Sequence, residues 1–499
     1  MTTKELTQKL YALEKQLAAY NHAMGLLYYD GVTSAPAGTA ANRGETLNVL
    51  GEASYRMTTC EETRSLIEAL GERSEELDEK TKRIVYLFSR NMEEMRKIPM
   101  DEYLAYDQLV NESEAVWHEA KAENDYAKFA PYIDRMVRTL TKFAGYVRPE
   151  MNVYDYLLDK YEPKLTMADV DKFFGALRES LIPIIRRVTA AEPADETALT
   201  VDFPIEKQKA LSDELMRLLG LDRRQVGIGE TEHPFTTSFT RNDVRITTHY
   251  HEKLFSSSMF SVIHEGGHAL YEANTDPDFA YTSLGTGVSM AVHESQSRFY
   301  ENMLGRSRAF VKRIAPTLRA LNPALQAFDD ENLYRAFNAA KPSLIRTEAD
   351  ELTYCLHIMV RYELEKRLFA GEITAKDLPG EWNRLYEEYL GVRVPNDREG
   401  VLQDSHWSGG SFGYFPSYAL GSAYAAQLWA KMKEEFDPEE EIAKGDLTKI
   451  NEWLRSRIWT YGCLYEPRAL MEKAFGAPFD AKYYVEYLKN KYEALYPEK

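Results

Sequence analysis

Cysteine is scarce. Cys60, Cys355 and Cys463 are the only three in 499 residues, far apart, with no CxxC or Cys/His spacing. An odd and sparse set excludes a disulfide framework and fits a reducing compartment. Long apolar runs are missing as well: no segment approaches the roughly 18 residues needed to span a bilayer. The N-terminal MTTKELTQKLYALEKQLAAY is charged and amphipathic, without the apolar stretch of a signal peptide. A cytoplasmic protein without a membrane partner is expected. Nor is there a surplus of positive charge. Lys and Arg number 61 against 79 Asp and Glu, a formal net charge of -18, which speaks against nucleic acid as a partner. Flexible Gly/Ser linkers, low-complexity tracts and fixed-period repeats are absent.

What is present suits a large packed core: 44% apolar residues, and 33 tyrosines with apolar bodies and polar tips. Leu6, Leu10, Leu13 and Leu17 recur at helical spacing, and similar patterns run through residues 40–70, 79–97, 100–146, 166–190 and 205–219. Strand character is confined to about 224–250. There Phe235–Phe239 and Val244–Thr248 flank Arg241-Asn242-Asp243, which predicts a short hairpin or small sheet. From residue 254 onward the pattern is helical again. The expectation is a mainly α chain forming one catalytic unit over 1–499. Within it, a helical N-terminal lobe covers about 1–200 and a second lobe about 201–499.

The segment Met259–Ala273 reads MFSVIHEGGHALYEA. On a helix His264 and His268 project from one face, one turn apart, so both imidazoles can reach a single Zn²⁺ at about 2.0–2.1 Å. Glu265 is rotated by about 100° from His264, where a carboxylate can act as base toward water. Gly266 and Gly267 each cost a helix roughly 1 kcal/mol relative to Ala, which points to close approach of another backbone or a ligand. Tyr271 and Asn274 stand where HExxHxxGxxH would place Gly and His, so the third ligand must lie further along. Residues 288–303, VSMAVHESQSRFYENM, offer Glu294, with His293 as rival. Three protein ligands leave the open position of a catalytic site. Arg298, one turn beyond Glu294, either orients that carboxylate or forms a surface ion pair. Co²⁺ or Mn²⁺ could occupy the same ligands, one ion per chain.

HEGGH followed by HESQSR resembles the M32 family of metallocarboxypeptidases, the carboxypeptidase Taq type. HPF at His233–Phe235, DVRIT at Asp243–Thr247, IRTEAD at Ile345–Asp350 and GVLQDSHW at Gly400–Trp407 match the same family in order. The resemblance implies a large, almost all-α zincin-like fold with a deep groove and a cytosolic homodimer. It also implies zinc-dependent removal of C-terminal residues from short peptides with broad specificity, C-terminal proline being poorly cleaved.

A carboxypeptidase needs a cation for the terminal carboxylate, and a guanidinium fork suits it. Arg346 is the candidate through the family resemblance of IRTEAD, with a salt bridge to Glu348 or Asp350 as its alternative. Arg245 is the runner-up, unless it pairs with Asp243. His406 precedes the Gly- and Tyr-rich residues 408–421, where glycines allow a loop near substrate and Tyr414 and Tyr418 offer phenolic donors. By analogy with related helical zincins, His406 and Tyr418 stabilise the oxyanion. His233 lines the pocket or merely serves the turn before Pro234. The hairpin containing Val244–Thr248 could offer an edge to a peptide. An endo-acting zinc oligopeptidase and a catalytically silent peptide-binding protein are the competing readings.

Overall fold

A computed structural model describes residues 1–497. The chain is mainly α-helical with one three-stranded sheet. Its residues group into two compact units, each assembled from three stretches. Unit 1 comprises Met1–Met95, Thr197–Phe337 and Leu428–Pro478, and unit 2 comprises Arg96–Glu196, Asn338–Gln427 and Phe479–Lys499. No helix among the described residues is long and apolar enough to cross a membrane.

Most helices fall where the periodicity puts them, and the differences have local causes. The 40–70 pattern splits into Ala40–Thr59 and Glu61–Gly71 because Cys60 is extended, with φ -64° and ψ 158°. The 100–146 pattern splits into Met100–Glu123 and Tyr126–Val147 at Asn124, which adopts the left-handed conformation (φ 57°). Asn tolerates that region better than most residues, and Asp125 then caps the next helix through Ala127 N. Met167–Ala190 starts on a capping box between Thr166 and Asp169. Ile205–Leu219 follows Pro204 and stops at Gly220, whose φ is 83°.

The expected hairpin is present as β2 (Thr236–Thr240) and β3 (Asp243–Thr248), and β1 (Val226–Glu230) lies parallel to β3 on the other side. The sheet order is therefore β1-β3-β2. Within the hairpin the free edge belongs to β2, because β3 is paired on both sides; β1 is the other edge strand. β1, with the sequence VGIGE, lies within the expected strand region, and one of its glycines meets Tyr29: a Cβ on Gly229 would sit 2.4 Å from the Tyr29 hydroxyl.

In unit 1 the helix Phe255–Ala273 packs against Ile205–Leu219, Met290–Arg298 and β3. Its apolar residues surround the axis, the pattern of a fully enclosed helix. Val262, Ile263 and Ala269 are completely buried, and each large aliphatic chain so placed contributes about 1.5–3 kcal/mol. The glycine pair is explained here. A Cβ on Gly267 would lie 2.6 Å from the Gln296 carbonyl oxygen and 2.8 Å from Ser297 Cα. On Gly266 it would lie 2.6 Å from Leu219 Cδ1. Gly267 lets the helix bearing Glu294 approach backbone to backbone.

Unit 2 is built on Tyr126–Val147, Val153–Tyr161, Met167–Ala190, Tyr354–Phe369 and Leu378–Leu390. Its core encloses Tyr154, Trp382 and Tyr386, and also Arg361, which has no exposed surface. A guanidinium in that position requires partners.

Candidate active site

His264, His268 and Glu294 converge in unit 1. Glu294 Oε2 lies 3.7 Å from His264 Nε2 and 3.6 Å from His268 Nε2. One donor atom from each of the three residues falls within 4.8 Å of the other two. Ligand atoms around a tetrahedral ion with bonds of about 2.0–2.1 Å stand about 3.4 Å apart, so the trio fits a small divalent cation.

The second nitrogens fix the tautomers. His264 Nδ1 is 2.8 Å from Glu301 Oε2, so it donates there and leaves the Nε2 lone pair toward Glu294. His268 Nδ1 is 2.7 Å from His293 Nδ1, and His293 Nε2 is 2.7 Å from Glu272 Oε1. The proton order that satisfies this chain has His268 donating to His293 and His293 donating to Glu272. His293, the rival ligand, thus stands behind His268. Arg298 donates from Nε to Glu294 Oε1 (2.7 Å) and from Nη1 to Glu301 Oε2 (3.2 Å). It does orient the carboxylate. Arg306 adds a second cation, with Nη2 3.3 Å from Glu301 Oε1. The helix Met290–Arg298 passes into a π-helical turn, Phe299–Leu304, which carries Glu301.

Charges follow these contacts. Burial pushes the Glu294 carboxyl up, but Arg298 and the two imidazoles prevail and hold it far below the usual range. Glu301 behaves likewise through Arg298, His264 and Arg306. Burial opposes charge on His264, yet Glu294 and Glu301 outweigh it and its pKa rises. His268 is pushed down to about 4, chiefly by burial. Glu265 is raised by burial, only partly countered by His264 and by Thr236, whose hydroxyl donates to Oε2 at 2.5 Å.

The model for carboxypeptidase Taq (M32) metallopeptidases matches residues 9–492. The chain belongs to the M32 family. Carboxypeptidase 1 of Bacillus subtilis (strain 168) is 41% identical over 495 residues, covering 98% of each chain. Thermostable carboxypeptidase 1 of Pyrococcus furiosus is 36% identical, again over 98% of both. The crystal structure of the M32 carboxypeptidase from Deinococcus radiodurans R1 superposes with a TM-score of 0.96 at 35% identity, covering 99% of this chain and all of that one. Membership makes this chain a metallocarboxypeptidase that works with a divalent metal ion.

In this M32 member three further sequence candidates gather in unit 2. Arg346, His406 and Tyr418 are neighbours: the Arg346 guanidinium lies 5.2 Å from the Tyr418 ring centre, and His406 Nε2 is 3.4 Å from the Tyr418 hydroxyl. Arg346 pairs with neither Glu348 nor Asp350. Its partner is Asp404, at 2.9 Å from both Nε and Nη2, and Nη1 donates to the Tyr354 hydroxyl at 3.3 Å. Arg361 binds the other oxygen of Asp404 from Nε (2.7 Å) and Nη2 (2.6 Å). Burial and the two guanidiniums push His406 down to about 4, Asp404 opposing, so the ring is neutral and its Nδ1 is buried without a partner. Gly413 serves the protein's own packing: a Cβ there (φ 84°) would lie 2.7 Å from the Leu157 carbonyl carbon.

Two candidates have no such setting. His233 is exposed, and its carbonyl accepts from Thr231 Oγ1. Arg245 is held bidentate by Asp243 (3.0 and 3.1 Å) and stacks between Tyr29 and Phe239. Sequence reasoning missed Glu301, Glu272, Thr236, Arg361 and Asp404. Asp404 stands within the quoted GVLQDSHW segment, and Glu301 lies one further turn beyond Arg298; these were the available signals.

Proposed function

We propose that the chain is a zinc-dependent carboxypeptidase trimming short peptides from the C-terminus, one ion per chain. The observation that carries the reading is the convergence of His264 Nε2, His268 Nε2 and Glu294 Oε2 with Glu265 on the same helix. His264, His268 and Glu294 would hold the ion. When bound, it supplies Lewis acidity to the scissile carbonyl and to the attacking water.

The remaining steps belong to the chain. Thr236 engages Glu265 Oε2, which leaves Oε1 to take a proton from water and return it to the leaving amine. The burial that raises the Glu265 pKa makes it a better base at neutral pH. His406 and Tyr418 donate to the developing oxyanion, and the neutral His406 fits a donor role. Arg346 and Arg361 share one carboxylate, Asp404, so the cluster carries one unit of positive charge that a peptide carboxylate would balance. Broad specificity with poor cleavage at C-terminal proline, a cytoplasmic homodimer, and no nucleic-acid or membrane partner complete the reading.

Metal content of the purified protein, paired with mass spectrometry of peptide digests, tests it. Residues should leave one at a time from a free C-terminus, and a C-terminal amide should block release. Internal cleavage unaffected by amidation would replace this reading with an endo-acting oligopeptidase.

A further inference from the structure

Unit 1 holds a second concave site that the metal chemistry does not use. A cavity of about 780 Å³ is bordered by the helices Thr3–Thr33, Ala40–Thr59 and Glu79–Lys97, by the far end of β2 and by the loop 280–286. Two carboxylates line it. Glu272, 3% exposed, commits Oε1 to Thr286 Oγ1 (2.8 Å), Gly287 N (3.0 Å) and His293 Nε2 (2.7 Å). Its Oε2 is buried and has no hydrogen-bond partner. Glu14, 5% exposed, accepts from the backbone N–H of Ser283, whose own hydroxyl is buried and unpartnered. One short loop therefore bonds both carboxylates.

Among the described residues that line the cavity, one is cationic. Arg241 lines it, but its guanidinium is directed at the carbonyls of Thr275 (3.0 Å) and Ala273 (3.4 Å). Burial raises the Glu272 carboxyl, yet His293 and the loop donors prevail and keep it ionised. Burial raises Glu14 with only Ser283 to oppose it. An anionic oxygen enclosed without a donor calls for a cationic donor from a ligand.

β2 shows which ligand. Thr236, at its start, touches Glu265, whereas Ser238, Phe239 and Thr240 line the cavity. At about 3.3 Å per residue the cavity begins about 7–13 Å from the base. β2 is an edge strand, and Thr247 N donates to Phe235 O, so the alternation turns the backbone groups of Thr236 and Ser238 away from β3. A peptide pairing with that edge is carried toward the carboxylates. In a carboxypeptidase only one residue lies beyond the cleaved bond, so the part running along β2 is the N-terminal part.

We propose that this cavity recognises the free α-ammonium of short peptides, with Glu272 and Glu14 as acceptors, and so selects substrates of about three to five residues. The inference rests on the carboxypeptidase reading above. The test compares kcat/KM for free and N-acetylated peptides of two to six residues. Acetylation should lower it about tenfold for a tetrapeptide and less than about twofold for a dipeptide, which is too short to reach. In Glu14→Gln the tetrapeptide penalty should shrink to about threefold. Equal values for both forms at every length would overturn the proposal. Calorimetric binding of the same peptides to the Glu265→Gln variant reads the preference without turnover. A tighter free tetrapeptide there supports the ammonium site even if residues are not released from the C-terminus, whereas equal Kd values for both forms refute it.

Discussion

Around His264 and His268 three carboxylates, Glu265, Glu294 and Glu301, face two guanidiniums, Arg298 and Arg306. Around Asp404 in unit 2 the proportion is inverted, since Arg346 and Arg361 share a single carboxylate while His406 stays neutral. Both clusters are largely withdrawn from water, where an unbalanced charge is costly. Two such imbalances of opposite sign are what the proposed function asks for. The first suits a divalent cation and the second a carboxylate. A metallocarboxypeptidase needs both.

The comparison breaks most visibly on the first cluster. Glu265→Gln should lower kcat by roughly 10³–10⁴-fold while the bound zinc, measured by elemental analysis, stays at one per chain. Gln keeps the shape and the Thr236 contact but cannot take the proton. Retained turnover would remove Glu265 from the reaction, and lost metal would make it a structural group. On the second cluster, Arg346→Met should reduce kcat/KM for peptides with a free C-terminus by about a hundredfold, equivalent to roughly 3 kcal/mol. Folding should be spared, because Asp404 keeps its two bonds from Arg361. If free and amidated peptides lost equally, the positive surplus would not be reading a carboxylate.

The two clusters also differ in how far the sequence exposes them. His264, Glu265 and His268 sit within one turn of a helix, and helical spacing alone places both imidazoles on one face. Gly267 announced a close neighbour because a glycine inside a helix needs a reason, and the Gln296–Ser297 backbone supplies it. The Glu301–His264 and Glu272–His293–His268 contacts join separate turns and helices, so periodicity could not report them. Asp404 as the shared partner of Arg346 and Arg361 is more remote still, since ion pairing between distant segments leaves no spacing signal. β1 lies within the 224–250 stretch read as strand, but its parallel pairing with β3 leaves no mark in the spacing of the residues.

Those hidden contacts make the next test sharper than the ligands themselves. Glu301→Gln leaves all three donor atoms in place but removes the charge that orients His264 through Nδ1. Zinc affinity, read by competition with a chromogenic chelator, should weaken about 10–100-fold. An unchanged affinity would mean that packing alone orients the imidazole.

The smallest expected effect concerns a carboxyl that neither imbalance balances. Glu365 in unit 2 is fully enclosed and accepts from Trp407 Nε1 (2.6 Å), Tyr154 OH (2.8 Å) and Gly413 N (2.8 Å). Burial nevertheless raises it to about 7, against an unperturbed 4.5, with those donors and Arg361 opposing. A carboxyl with a raised folded-state pKa binds its proton more tightly folded than unfolded. Its contribution is therefore full below about pH 4.5 and is lost as pH rises through about 7. With metal-loaded protein, the melting temperature of the wild type should fall between pH 5 and pH 8 by a few degrees more than that of Glu365→Gln, which cannot ionise. Parallel curves for the two proteins would show that the three donors hold the carboxylate ionised throughout. In that case the positive surplus around Asp404 would be smaller than the Asp404 contacts alone suggest, because Glu365 would already offset part of it.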